Sequence, residues 1–193
     1  MLLATSSALG QQPPRRVLDA ARAGCGRGEI ELSQPSSDHA FRGVWVAVAY
    51  VRGARRACVA IVRESHASVE TVGFGTVSAG WSERYAESSA PSVRAMFHAP
   101  HGETVVVLAE DQMAASGGGG EAIVLGVVRG GRLVTTRIGV LESARDVNDW
   151  IDSPCDGRGG VAMEALGLRV LRCSADGIST ERWRQRPDGR FER

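Results

Sequence analysis

Apolar residues in this chain come in short runs, most clearly Val44–Val51, Val105–Ala109 and Ile123–Val128. Within these runs both alternating faces are apolar, whereas a strand with one wet face alternates apolar with polar. Such strands require cover on both sides. Turn formers separate the runs: Gly53, Gly73-Phe74-Gly75, His101-Gly102, Gly130-Gly131, Asp176-Gly177 and Pro187-Asp188-Gly189. Glycine supplies the positive φ that tight hairpin turns demand. The pattern predicts a mainly β fold of antiparallel hairpins in a meander, with propeller-like or sandwich packing. Helical periodicity is confined to Arg16–Ala23, ahead of the β-rich part, and to Ser143–Asp152 and Val161–Leu166 within it, where one or two short helices are expected. Gly117–Gly120 reads as a flexible loop.

Two of the expected hairpins look alike. Val44–Ser65 and Ala122–Ser143 each contain an apolar run, a Val-Arg-Gly turn, a second apolar run and a Glu-Ser exit. Internal duplication is one reading. Coincidence is the other, in a chain with 24 glycines and 23 basic residues, all of them arginine.

At 193 residues the chain is expected to form one domain. Residues 1–40 are poor in strand periodicity and read as a truncated signal peptide plus flexible linker, with a single β-rich domain over 41–193. Met1–Gly10 is small and apolar, with Ala8-x-Gly10 at a spacing signal peptidase accepts. It lacks the basic and long apolar regions of a full signal. No run approaches the ~20 apolar residues that span a bilayer, so no transmembrane segment is expected. The four cysteines, Cys25, Cys58, Cys155 and Cys173, show no Cys-x-x-Cys spacing. They read either as two disulfides, with neighbours pairing as Cys25–Cys58 and Cys155–Cys173, or as four buried thiols. Together with the leader, the disulfide reading points to a secreted or periplasmic protein. The arginine-only basic set fits the codon bias of a GC-rich bacterial genome.

Net charge is +1, which creates no field to draw in nucleic acid, and no nucleic-acid partner is expected. The chain carries no Gly-x-Ser-x-Gly elbow, no His-Glu-x-x-His and no P-loop. His98 and His101 flank Pro100 near Glu103, a spacing that two metal-binding imidazoles can use. Asp146, Asn148, Asp152 and Asp156 offer oxygen ligands ahead of Gly157, as an irregular calcium loop would. Pro154 and Met163 occupy positions where the helix–loop–helix calcium signature needs oxygens. Arg182, Trp183, Arg184 and Phe191 interleave cations with rings, the composition of a ligand- or partner-binding surface or of a charged edge hairpin. The leading expectation is a non-catalytic extracytoplasmic module that binds a protein or a glycan. The alternatives are a hydrolase with loop-borne residues at His98/His101 and the 146–156 segment, and a structural partner in an envelope assembly.

Overall fold

A computed structural model of the chain describes residues 14–26, 28–34, 41–82, 87–99, 102–113, 117–141, 144–146, 159–164, 167–174 and 177–193. Helix α1 (Arg15–Cys25) leads into β1 (Glu29–Ser33), and then β2 (Val44–Tyr50), β3 (Arg56–Glu64) and β4 (Val69–Ser78). Short strands β5 (Gly80–Ser82) and β6 (Glu87–Ser89) precede β7 (Ser92–His98), β8 (Thr104–Met113), β9 (Gly117–Arg129), β10 (Arg132–Val140) and β11 (Ala144–Asp146). The chain ends with β12 (Gly160–Glu164), β13 (Gly167–Ser174), β14 (Gly177–Gln185) and β15 (Phe191–Glu192). The fold is mainly β, as the hydrophobic pattern predicts.

Eleven strands form one mixed sheet. The meander β1–β4 joins β10 through a single parallel register pair, Phe74 with Arg132, and β10, β9 and β8 continue the sheet. The far edge of β8 carries β7 antiparallel over Thr104–Ala109 and β5 parallel at Gln112 and Met113. Strands β12–β15 form a second, antiparallel sheet. No described helix is long and apolar enough to cross a membrane.

The two-sided apolar strands are covered on both faces. The main sheet curls into a half-barrel, and its inner face buries Val46 and Val48 of β2, Val59 and Ile61 of β3, Val106 and Leu108 of β8 and Val124 of β9 in one cluster. The alternate residues of β8 and β9, including Val105, Val107, Leu125 and Val127, pack outward against Leu168, Val170 and Phe191 of the second sheet. The alternate residues of β2 and β3, Ala47, Ala60 and Val62, pack outward under α1. The packing is therefore layered, with helix, half-barrel and second sheet in succession.

Helix α1 buries Val17 and Ala21, one turn apart, and has neither a side-chain N-cap nor an acidic first turn. Eleven such residues would be marginal alone. The small side chains at Ala21, Ala47 and Ala60 let helix and sheet approach closely. A disulfide between Cys25, at the helix end, and Cys58 of β3 fixes the contact, with Cα atoms 5.5 Å apart. Arg16 adds an ion pair to Glu64 at 2.9 Å. Residues 14–34 thus belong to the domain where described: β1 pairs with β2 over five positions, and the fold begins upstream of residue 41. Residues 1–13, with the expected signal remnant, lie outside the described residues.

Two of the glycines expected to punctuate turns, Gly73 and Gly75, instead shape the seam between the two halves of the sheet. Gly73, Phe74 and Gly75 lie inside β4, where Val72 is the extra residue of a bulge opposite Ile61 and Val62. A Cβ on Gly75 would stand 2.9 Å from the Leu133 carbonyl oxygen, and one on Gly126 would stand 2.8 Å from Leu133 Cδ1. Leu133 is thus keyed between two glycines. The run Gly117–Gly120 is strand rather than loop, paired with β11 and β8. Val161–Glu164, expected as helix, lies in β12, because pairing with β13 and packing of Val161 and Met163 on the core outweigh local propensity. Of the expected helix at Ser143–Asp152, residues 144–146 are strand and the rest lies outside the described residues. The two look-alike segments both contain hairpins, β2–β3 and β9–β10. Gly130 and Gly131 turn the second with φ of 55° and 75°.

The second sheet is bolted to the first by polar contacts. Arg172 donates to the carbonyls of Ile138 and Val140 and, at 3.0 Å, to Glu181. Glu181 also accepts from Trp183 Nε1 at 3.0 Å. The Arg172 hydrogen bond, helped by Trp183 and Arg193, holds the Glu181 carboxyl below its usual range despite burial.

Two outcomes test this architecture. Replacing Cys25 and Cys58 with serine opens a link spanning 33 positions, and the denaturation midpoint should fall by an equivalent of about 3 kcal/mol. Gly75→Ala should cost about 2 kcal/mol, since backbone atoms of Leu133 must move. Gly53→Ala, in open space at φ 82°, should cost only about 1 kcal/mol. Equal losses at the two glycines would sink the keyed-seam account.

Candidate functional site

The inward face of β8 changes character along its length. Val106 and Leu108 are core, but the next two residues on that face are Glu110 and Gln112, which line a cavity of about 330 Å³ at one end of the half-barrel. Strand β5 is brought against this end by its pairing of Trp81 with Gln112. That approach needs Gly80, where a Cβ would lie 2.8 Å from the Asp111 amide nitrogen. Tyr50 ties the β2–β3 turn to the same wall: its hydroxyl donates to the Ser88 carbonyl at 2.9 Å and accepts from the Gly53 amide at 3.1 Å. The turn thereby places Arg55 on the cavity lining beside Trp81 and Ser88.

Glu110 is the one buried charged residue among the described residues, at 1% exposure. The backbone amide of Ser78 donates to its carboxylate, yet Oε2 is buried without a hydrogen-bond partner from the protein. Arg137 of β10 reaches to 3.6 Å from that oxygen, an ion pair without a hydrogen bond, and is itself 56% exposed at the cavity mouth. Burial raises the Glu110 pKa; the Arg137 charge and the Ser78 amide pull the other way without cancelling it. An acceptor atom buried beneath a polar cavity without a hydrogen bond from the protein is costly to the fold, and a donor brought to it would satisfy it.

A second hollow, about 440 Å³, adjoins the first and shares Arg55, Trp81 and Ser88 with it. Arg52 and Glu87 complete its lining with Gly53. Trp81 is 41% exposed, a large indole face presented to both hollows.

The residues singled out from sequence fall elsewhere. His98 is exposed on β7, its ring stacked on Phe41 with centroids 4.4 Å apart. His101 lies outside the described residues, and Glu103 accepts from Gln185 at 3.5 Å. Asp146 lies in β11, while Asn148, Asp152 and Asp156 are outside the described residues. Among the described residues no group of three or more His, Cys, Asp or Glu could hold a metal. The C-terminal alternation is that of a strand: Arg182 and Arg184 are exposed on one face of β14, Trp183 is half-buried on the other, and Phe191 is core. Cations and rings therefore do not share one surface. Cys173 is disulfide-bonded, and Cys155 lies outside the described residues.

Glu110 and Trp81 were obscured by their neighbours in the sequence. Glu110 reads as the polar flank of Val105–Ala109, although its parity with Val106 and Leu108 places a carboxylate on the core-facing side. Nothing local marks Trp81 as exposed. Comparison with known proteins finds no matching family model, no matching curated protein and no matching solved structure.

The energetics of Glu110 can be tested directly. With its pKa raised on folding, its contribution is fully stabilising below the ordinary carboxylate range and is lost as pH rises through the folded value. Glu110→Gln keeps the shape and cannot ionise. It should be about 1 kcal/mol more stable than the parent at neutral pH, with the gap closing as pH falls below the carboxylate range. Thermal denaturation of the two proteins across pH decides it; a variant less stable at neutral pH would refute the account.

Proposed function

We propose that this protein is a non-catalytic module that binds a glycan at the Glu110 cavity and works in an oxidising, extracytoplasmic compartment. The observation that carries the reading is the unsatisfied Oε2 of a buried carboxylate at the base of a cavity walled by an exposed tryptophan. Binding cavities set a few convergent polar groups against an apolar or aromatic wall. A pyranose matches both, with hydroxyl donors on its rim for Glu110 and an apolar C–H face for the indole.

The binding role is favoured over hydrolysis by the carboxylates of the cavity. Glycoside hydrolysis takes a pair flanking one bond; Glu110 is the single carboxylate among the described residues lining the base cavity, and Glu87 lines only the adjoining hollow. The cysteines support the compartment reading: Cys25–Cys58 is bonded, Cys173 is oxidised, and no free cysteine is found among the described residues. Structural disulfides persist where the environment is oxidising.

A glycan array probed with the purified full chain, followed by calorimetry on the hits, tests the reading. Trp81→Ala removes an exposed side chain and should leave stability within about 0.5 kcal/mol, while weakening the best glycan about tenfold or more. Glu110→Gln should weaken it as well, by turning an acceptor into a mixed donor and acceptor. Retained affinity in both variants would place binding elsewhere.

A further inference from the structure

We infer that the glycan is acidic: a saccharide whose carboxylate is held by the arginines at the mouth while its hydroxyls reach Glu110. The inference rests on the glycan-binding reading and adds the charge of the ligand. Three guanidinium groups and two carboxylates line the two hollows, Arg137, Arg55 and Glu110 on the first and Arg52, Arg55 and Glu87 on the second, so the arginines are in excess. Arg137 is tied to Glu110 only at 3.6 Å. Arg52 and Arg55 form no ion pair among the described residues, as is also true of surface arginines such as Arg56 and Arg182; what sets them apart is their place on the hollows. Unpaired arginines on a binding wall are suited to a planar carboxylate, which they can grip bidentately.

The layout also orders the ligand's groups. Glu110 at the base repels an anion and accepts from a hydroxyl, so the negative charge belongs at the mouth and the neutral, donor-rich edge belongs inside. Trp81 lines both hollows, so one chain of sugars can lie across it with successive residues on either side. A uronic-acid oligosaccharide carries each of these features: a hydroxyl-rich edge, an apolar ring face and a carboxylate on each unit. Inorganic sulfate has neither the donors nor the apolar face, and inorganic phosphate lacks the apolar face.

Calorimetry on the full chain with short oligomers of galacturonic, glucuronic, mannuronic and guluronic acid, each beside its methyl-esterified form, tests this. Esterification removes charge and keeps the sugar. At least one acid oligomer should bind about tenfold or more tightly than its ester at low salt, with the preference shrinking as salt is raised. The double variant Arg52→Ala/Arg55→Ala should lose that preference while still binding the ester. Ester and acid binding equally well would overturn the acidic inference and leave the glycan reading standing. Binding of the acid that Arg52→Ala/Arg55→Ala leaves untouched would also overturn it. Failure of every acid and ester here, with no hit among neutral glycans on the array, would overturn both.

Discussion

The whole architecture depends on covering strands that are apolar on both faces. Strands β2, β3, β8 and β9 cannot present either side to water, so a single sheet with one wet face is excluded. Curling the sheet into a half-barrel solves half the problem by making one face its own interior. The other face is covered by two different devices, α1 over β2 and β3 and the second sheet over β8 and β9. Each needs a fastening, because neither would be stable detached. The Cys25–Cys58 disulfide secures the helix, and the hydrogen bonds from Arg172 to the Ile138 and Val140 carbonyls secure the second sheet.

Curling brings strands from the two halves close at β4 and β10, where one register pair joins them. Side chains there are removed rather than accommodated. Gly73, Gly75 and Gly126 clear the space that Val128 and Leu133 fill. A sheet of uniformly branched residues could not bend so sharply without steric overlap, so the glycine content of this chain serves shape as well as turns.

At the end of the half-barrel the same geometry creates the candidate site. Apolar packing stops after Leu108, and the next inward positions carry a carboxylate and an amide instead of continuing the core. Retaining a buried, incompletely bonded carboxylate opposes folding. That is the kind of local conflict between stability and composition expected where a protein keeps a group for a ligand.

The sequence by itself determined the β class, the short helix near residues 16–23 and the hairpins at 44–65 and 122–143. These follow from local periodicity and turn chemistry, which are properties of neighbouring residues. It also showed that some strands needed two-sided cover, without showing what would provide it. Only the tertiary structure decided that Gly73 and Gly75 stand within a strand, that Gly117–Gly120 pairs as one, and that Val161–Glu164 is extended rather than helical. Each outcome was set by a partner distant in the chain. The site belongs to the same category: Glu110, Arg137, Trp81 and Arg55 come from four separate strands and turns, and their convergence depends on how the sheet curls. Periodicity can place Glu110 on the inward face, but it carries no information about which residues stand opposite, and chemistry at a site is a matter of what stands opposite.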